Sequence, residues 1–178
     1  MSIYQATFST GDVCRVAGVT NPALQTWIRR GLIVGEAGGV DMPGKPGVRR
    51  SFGFYTVMEI AVAAALTDLG LSAAQAFKAA QRFAHTGDES RMAAFPFPDG
   101  RTFLCVAGDR SAELMWKPGE DLVVMARHHL GRPLGFTVLD VSALFDNVTA
   151  GLGYHPQKLL DDEYRKDGAR AASWGAPQ

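Results

Sequence analysis

The sequence predicts an α+β protein: two short capped helices and a glycine-rich basic loop open the chain, and a smaller α+β unit closes it. Three observations carry this reading. Residues 8–31 hold two helix starts, each followed by an apolar stripe at helical spacing and a terminal glycine. Residues 33–55 lose helical periodicity to a run of Gly and Pro, among them Gly38, Gly39, Pro43, Gly44 and Pro46. From residue 101 onward, β-prone runs alternate with turn signals.

The elements follow in order. In Phe8-Ser9-Thr10-Gly11-Asp12-Val13, Ser9 is placed to cap a helix. Asp12 falls at the third helical position, and Phe8 and Val13 are spaced as a hydrophobic staple. Val13, Val16 and Ala17 give the helix its apolar face, and Gly18 ends it. Thr20 caps a second helix, Pro22 sits harmlessly in its first turn, and Leu24, Trp27 and Ile28 point inward. Gly31 closes it. Two short helices around a glycine turn make a helix-turn-helix.

Ile33-Val34 and residues 48–55 read as short strands flanking a long loop, a wing carrying Lys45, Arg49 and Arg50. Thr56-Val57-Met58-Glu59 reads as a capping box for a third helix, apolar on nearly all sides to Leu69. Ser72–Gln75 reads as another for a fourth helix ending near His85.

Beyond this point residues 86–100 read as a polar and proline-rich linker. Thr102–Ala107 and Ala112–Met115 read as a hairpin across Gly108-Asp109, Leu122–Ala126 as a strand or helix start, and Gly135–Val141 as a strand. Ser142 is placed to cap a helix reaching Leu152, with Ala143, Leu144, Val148 and Leu152 on one face. A short charged helix from Pro156 to Lys166 follows, then a flexible tail. The expected organisation is therefore 1–85 as a winged helix-turn-helix, 86–100 as a linker, 101–168 as a small α+β unit for dimerisation or sensing, and 169–178 as the tail.

Composition bounds the function. An apolar share of 47% with 20% charged residues belongs to a globular chain rather than a disordered one. The longest apolar run, residues 60–66, is too short to span a bilayer, and the first ten residues lack a secretory pattern, so a cytoplasmic location is expected. Cys14 and Cys105 stand apart, outside any Cys/His cluster, and read as buried free thiols; no metal or cofactor is expected. His128-His129 do not point together, and no nucleophile, acid–base pair or phosphate loop has a recognisable spacing. An enzyme is not expected. The zero net charge conceals an asymmetry. Residues 1–84 hold 8 Lys and Arg against 5 Asp and Glu, while residues 85–178 hold 10 against 13. The positive excess falls on the helix-turn-helix.

Four segments, "FSTGDVCRVAGV", "LQTWIRRGLI", "RRSFGFYTVMEI" and "LTDLGLS", occur in one order between Phe8 and Ala84. In this stretch the chain resembles the DNA-binding domain of the MerR family. The resemblance implies a transcriptional regulator bound to double-stranded DNA, its second helix in the major groove and its wing on backbone and minor groove. Thr20, Asn21, Gln25 and Thr26 would then face bases, with Asn and Gln suited to adenine edges and Thr to a thymine methyl. Arg15, Arg29, Lys45, Arg49 and Arg50 would meet phosphate or the narrow groove, and Tyr55 would donate to a phosphate.

The sequence departs from the family in three places. Gln25-Thr26 stands where Arg-Tyr is common, the wing is long, and Phe95–Gly100 interrupts the helix that usually makes the family's dimer. A homodimer through the C-terminal unit, on a palindromic site, is expected instead, with an effector, small molecule or protein, as a further possible partner. Two other roles fit the same residues: an excisionase-like or small-terminase-like architectural protein of phage type, and a protein-interaction adaptor built on a degenerate winged helix.

Overall fold

The computed structural model describes residues 3–34 and 50–174, with side chains as far as residue 168. It is mixed α and β. Ser9 caps helix α1 (Thr10–Ala17) in a full capping box with Asp12, and Gly18 ends it in the left-handed region at φ 68°. Thr20 caps α2 (Asn21–Arg29), accepting the Ala23 N–H.

The strands of this region differ from expectation. Phe8–Ser9 itself forms strand β1, paired antiparallel with β2 (Ser51–Phe52). Ile33 and Val34 form no strand. The reason lies in the next helix, α3 (Phe54–Asp68). Its cap is Gly53, not Thr56, so Glu59 is carried into the helix interior and fully buried. There Glu59 Oε1 accepts the Val34 N–H at 2.9 Å, and Glu59 Oε2 accepts from His85 Nε2 at 2.9 Å. With its amide held by a side chain, Val34 has no ladder bond to give. Helix α4 (Ala73–His85), capped by Ser72, packs along α3 with Ala76, Phe77, Ala80 and Phe83.

Residues 86–100 are packed rather than extended. Ala94 and Phe95 are fully buried, the rings of Phe54 and Phe145 lying 5.4 and 5.2 Å from that of Phe95. Arg91, only 5% exposed, organises the turn. Its guanidinium donates to the carbonyls of Thr86 (2.6 Å), Met92 (2.9 Å), Phe83 and Phe95 (both 3.2 Å). A planar fork of five donors suits such a set of carbonyls.

Strands β3 (Arg101–Ala107), β4 (Arg110–Trp116) and β5 (Thr137–Asp140) form an antiparallel sheet in the order β4-β3-β5. Alternation along β3 divides its side chains: Leu104 and Val106 join the helical core, while Phe103 and Cys105 face α5 (Leu122–His129). The segment from Leu122 is thus a helix, capped by Asp121, rather than a third strand.

Helix α6 (Val141–Gly151) takes its cap from Asp140, while Ser142 Oγ accepts the Thr102 N–H instead. The earlier start shifts the inward stripe to Val141, Phe145, Val148 and Thr149. These pack on α3 and β3. Helix α7 (Pro156–Trp174) runs past Lys166 into the stretch expected as a tail. One continuous apolar core joins Val13, Leu24 and Phe77 to Leu104, Phe145 and Leu159.

Candidate nucleic-acid interface

Helix α2 is divided by its own periodicity. Leu24 is fully buried, and Trp27 and Ile28 lean on the core, the Trp27 ring edge-on to Phe77 at 5.1 Å. The opposite face carries Asn21, Thr26, Arg29 and Arg30, all exposed, beside the half-buried Gln25. Asn21 and Gln25 are one turn apart, and Gln25 Nε2 donates to Asn21 Oδ1 at 3.2 Å.

Gln25 Oε1 in turn accepts from Arg50 Nη1 at 3.1 Å. This bond ties the returning end of the loop to the middle of α2. A second polar line runs beside it: Thr26 Oγ1 donates to the Pro22 carbonyl at 2.9 Å and accepts from Arg29 Nη2 at 3.4 Å. Both amide side chains keep donors or acceptors beyond these bonds, since a primary amide has two N–H groups and two oxygen lone pairs.

The cations sort into two kinds. Arg15 is bound internally: Nη1 donates to the Gly151 carbonyl of α6 at 2.6 Å, and Nη2 pairs with Asp12 at 3.2 Å. The Ser9 hydroxyl and amide, followed by Arg15, hold the Asp12 carboxyl below the usual carboxylate range. Arg29, Arg30 and Arg50 have no carboxylate partner among the described residues. Thr20 spends its oxygen on the helix cap, at 3.4 Å from the Ala23 nitrogen, and retains its hydroxyl proton.

Tyr55 sits in the first turn of α3, half-buried, its ring 5.3 Å from Tyr4 and 6.3 Å from His85. Burial first, and Tyr55 second, push the Tyr4 phenol above its usual range. Tyr55 thus belongs to an aromatic cluster with Tyr4 and His85. Lys45 and Arg49 lie outside the described residues.

The structure therefore gathers Asn21, Gln25, Thr26, Arg29 and Arg50 on one surface, leaves Arg15 exposed but bonded to Gly151 and Asp12, and half-buries Tyr55 beside Tyr4. It also shows supports that residue patterns did not suggest. Glu59 and His85 hold Val34, and Gln81 Nε2 donates to the Leu32 carbonyl at 2.8 Å. The signal for Glu59 was present, a carboxylate among apolar residues in the first half of the helix. It reads equally as a capping residue from sequence, and that reading capped the helix at Thr56 rather than at Gly53.

Among the described residues, no cluster of His, Cys, Asp and Glu is placed to hold a metal ion, and no helix is long and apolar enough to cross a membrane. No protein-family model matches the chain, and no curated protein matches it.

Proposed function

We propose that this protein is a sequence-specific, double-stranded-DNA-binding transcriptional regulator of MerR type, acting as a dimer in the cytoplasm. The observation that supports it best is the outer face of α2. Two neighbouring amide side chains, Asn21 and Gln25, are hydrogen-bonded to each other, flanked by Arg29 and Arg30, with Arg50 bonded to Gln25. Amides suit adenine, which presents a donor and an acceptor side by side in the major groove. Unpaired guanidinium groups suit phosphates, where they orient the helix without reading sequence.

The braces give the reading surface its rigidity. Arg50 limits the freedom of Gln25, and Glu59 with His85 fixes where the chain leaves α2 for the loop. A helix held this way loses less side-chain entropy on binding.

Fluorescence anisotropy with duplex DNA from the gene's upstream region, over a series of salt concentrations, tests the proposal. Specific binding is expected to resist competitor DNA and to weaken as salt rises. Arg29→Ala removes a phosphate contact and should weaken all sequences alike while lowering the salt slope by about 1. Gln25→Ala should cost roughly 1–3 kcal/mol on the preferred sequence and little on random DNA. Equal affinity for every duplex would favour an architectural role of the excisionase or small-terminase kind. No binding at low salt would refute the proposal and favour a protein-interaction adaptor.

A further inference from the structure

Helix α5 covers the outer face of the three-stranded sheet with Ala126 and, just beyond its end, Leu130, both fully buried. Its other face exposes two valines in the first half, ahead of Arg127 and His128. Val123 is 52% exposed and Val124 63%, and Leu134, a few residues past the helix, is fully exposed. Aliphatic side chains clustered on one short element differ from the scattered exposed residues of any surface.

The patch has opposite ends in both charge and shape. Glu120 and Asp121 stand at the start of α5, beside an open groove of about 560 Å³ lined by Phe103, Trp116, Leu122 and Val123. Arg127, Arg132 and the projecting Leu134 stand at its far end.

We propose that this surface joins two copies of the chain about a two-fold axis crossing α5, with the two α5 helices antiparallel. That operation lays the acidic end of each copy on the basic end of the other. It also sets each Leu134 opposite its partner's Phe103–Trp116 groove. The contact is self-complementary and closed, as a two-fold interface must be. A parallel arrangement would oppose like charges and place knob against knob. Antiparallel helix dipoles favour the same choice.

Among the described residues of this half, no other surface exposes a large aliphatic side chain. Lys78 pairs with Asp109 at 3.6 Å and Arg82 with Glu113 at 3.8 Å, so charged side chains from α4 flank β4. The apolar stripe of α6 is internal. An eight-residue helix is only about 12 Å long, so the flanking loops share the contact, and the interface falls at the small end of stable dimers.

The inference rests on the dimeric part of the proposed function and not on DNA binding. Sedimentation of the full chain without DNA, from about 1 to about 100 µM, should show a monomer–dimer equilibrium with a dissociation constant on the order of 10 µM. Leu134→Asp alters a fully exposed side chain, so the fold should persist by circular dichroism while the dissociation constant rises about tenfold or more. Glu120→Lys and Arg127→Glu should each weaken self-association. Mixed together, these two variants should pair, because both cross-contacts then regain opposite charge. A wild-type monomer at the highest concentration would overturn the proposal and leave the patch to a different protein. So would an undiminished Leu134→Asp dimer, or variants that fail to pair on mixing. A dimer that binds no DNA would refute only the DNA reading, and a monomer that binds DNA would refute only this interface.

Discussion

Arg91 shows how much a single buried charge can organise. Four carbonyls from α4 and the following turn converge on one guanidinium, which also lies over the Phe83 ring at 4.7 Å. Burial pulls the Arg91 pKa down, while Glu113, Tyr164 and Asp88 work in the opposite direction. Replacing it by Met keeps the volume and strands the carbonyls, so Arg91→Met should cost about 3 kcal/mol in urea unfolding. Arg91→Lys should recover only part of this, because an ammonium has three donors and no planar fork. A loss below about 0.5 kcal/mol in Met would mean that water replaces the guanidinium. Nothing in the sequence marked Arg91. Its value comes from where residues 83–95 turn back, and composition there reads as a polar linker. The Ser9–Asp12 box and the Gly18 stop were legible because both partners lie within one helical turn.

At the scale of elements, the seam between α1 and α6 connects the N-terminal helix pair to the second half of the chain. Gly151 lies at this seam, where a Cβ would stand 2.9 Å from Val16 Cγ1, so a side chain there requires Val16 to move. The same residue's carbonyl takes the Arg15 bond. Gly151→Leu should separate the helices and cost roughly 1–3 kcal/mol, read by thermal or chemical unfolding. Gly151→Ala, which a rotation of Val16 can accommodate, should cost less. Equal stability of all three proteins would show that the seam is loosely packed. Helices α1, α2 and α4 were legible from caps and periodicity. The pairing of β1 with β2, and the loss of any strand at Ile33, were not. The first depends on Phe8 meeting Phe52 and the second on Glu59 reaching Val34 across 25 positions of sequence, and no local pattern encodes either. For the candidate site the division is similar. The face of α2 was readable from helical spacing, whereas the bond of Arg15 to Gly151 and the packing of Tyr55 on Tyr4 depend on distant elements.

Across the whole molecule, one large apolar core spans both halves of the chain, with a smaller cluster between the sheet and α5. Phe54 meets Phe95 and Phe145, and Leu104, Val106 and Val148 complete the same cluster as Val13 and Phe77. Residues 1–85 alone would expose the surfaces that Phe95 and Phe145 cover. We expect the full chain to unfold in a single transition with coincident fluorescence and circular dichroism, and residues 1–85 alone to lack a cooperative transition. Two separate transitions would instead show independent units. A shared core also means that the second half positions the proposed reading helix, since Arg15 and Gly151 link α6 directly to the helix before it. The central claim, that α2 reads duplex sequence, is tested most directly by selecting bound duplexes from a random pool with the full chain. We expect one enriched motif containing adenine, whose preferred base changes when Asn21 or Gln25 is replaced while the positions outside it do not. A folded protein that enriches no sequence over the starting pool, or a motif indifferent to both replacements, would contradict it.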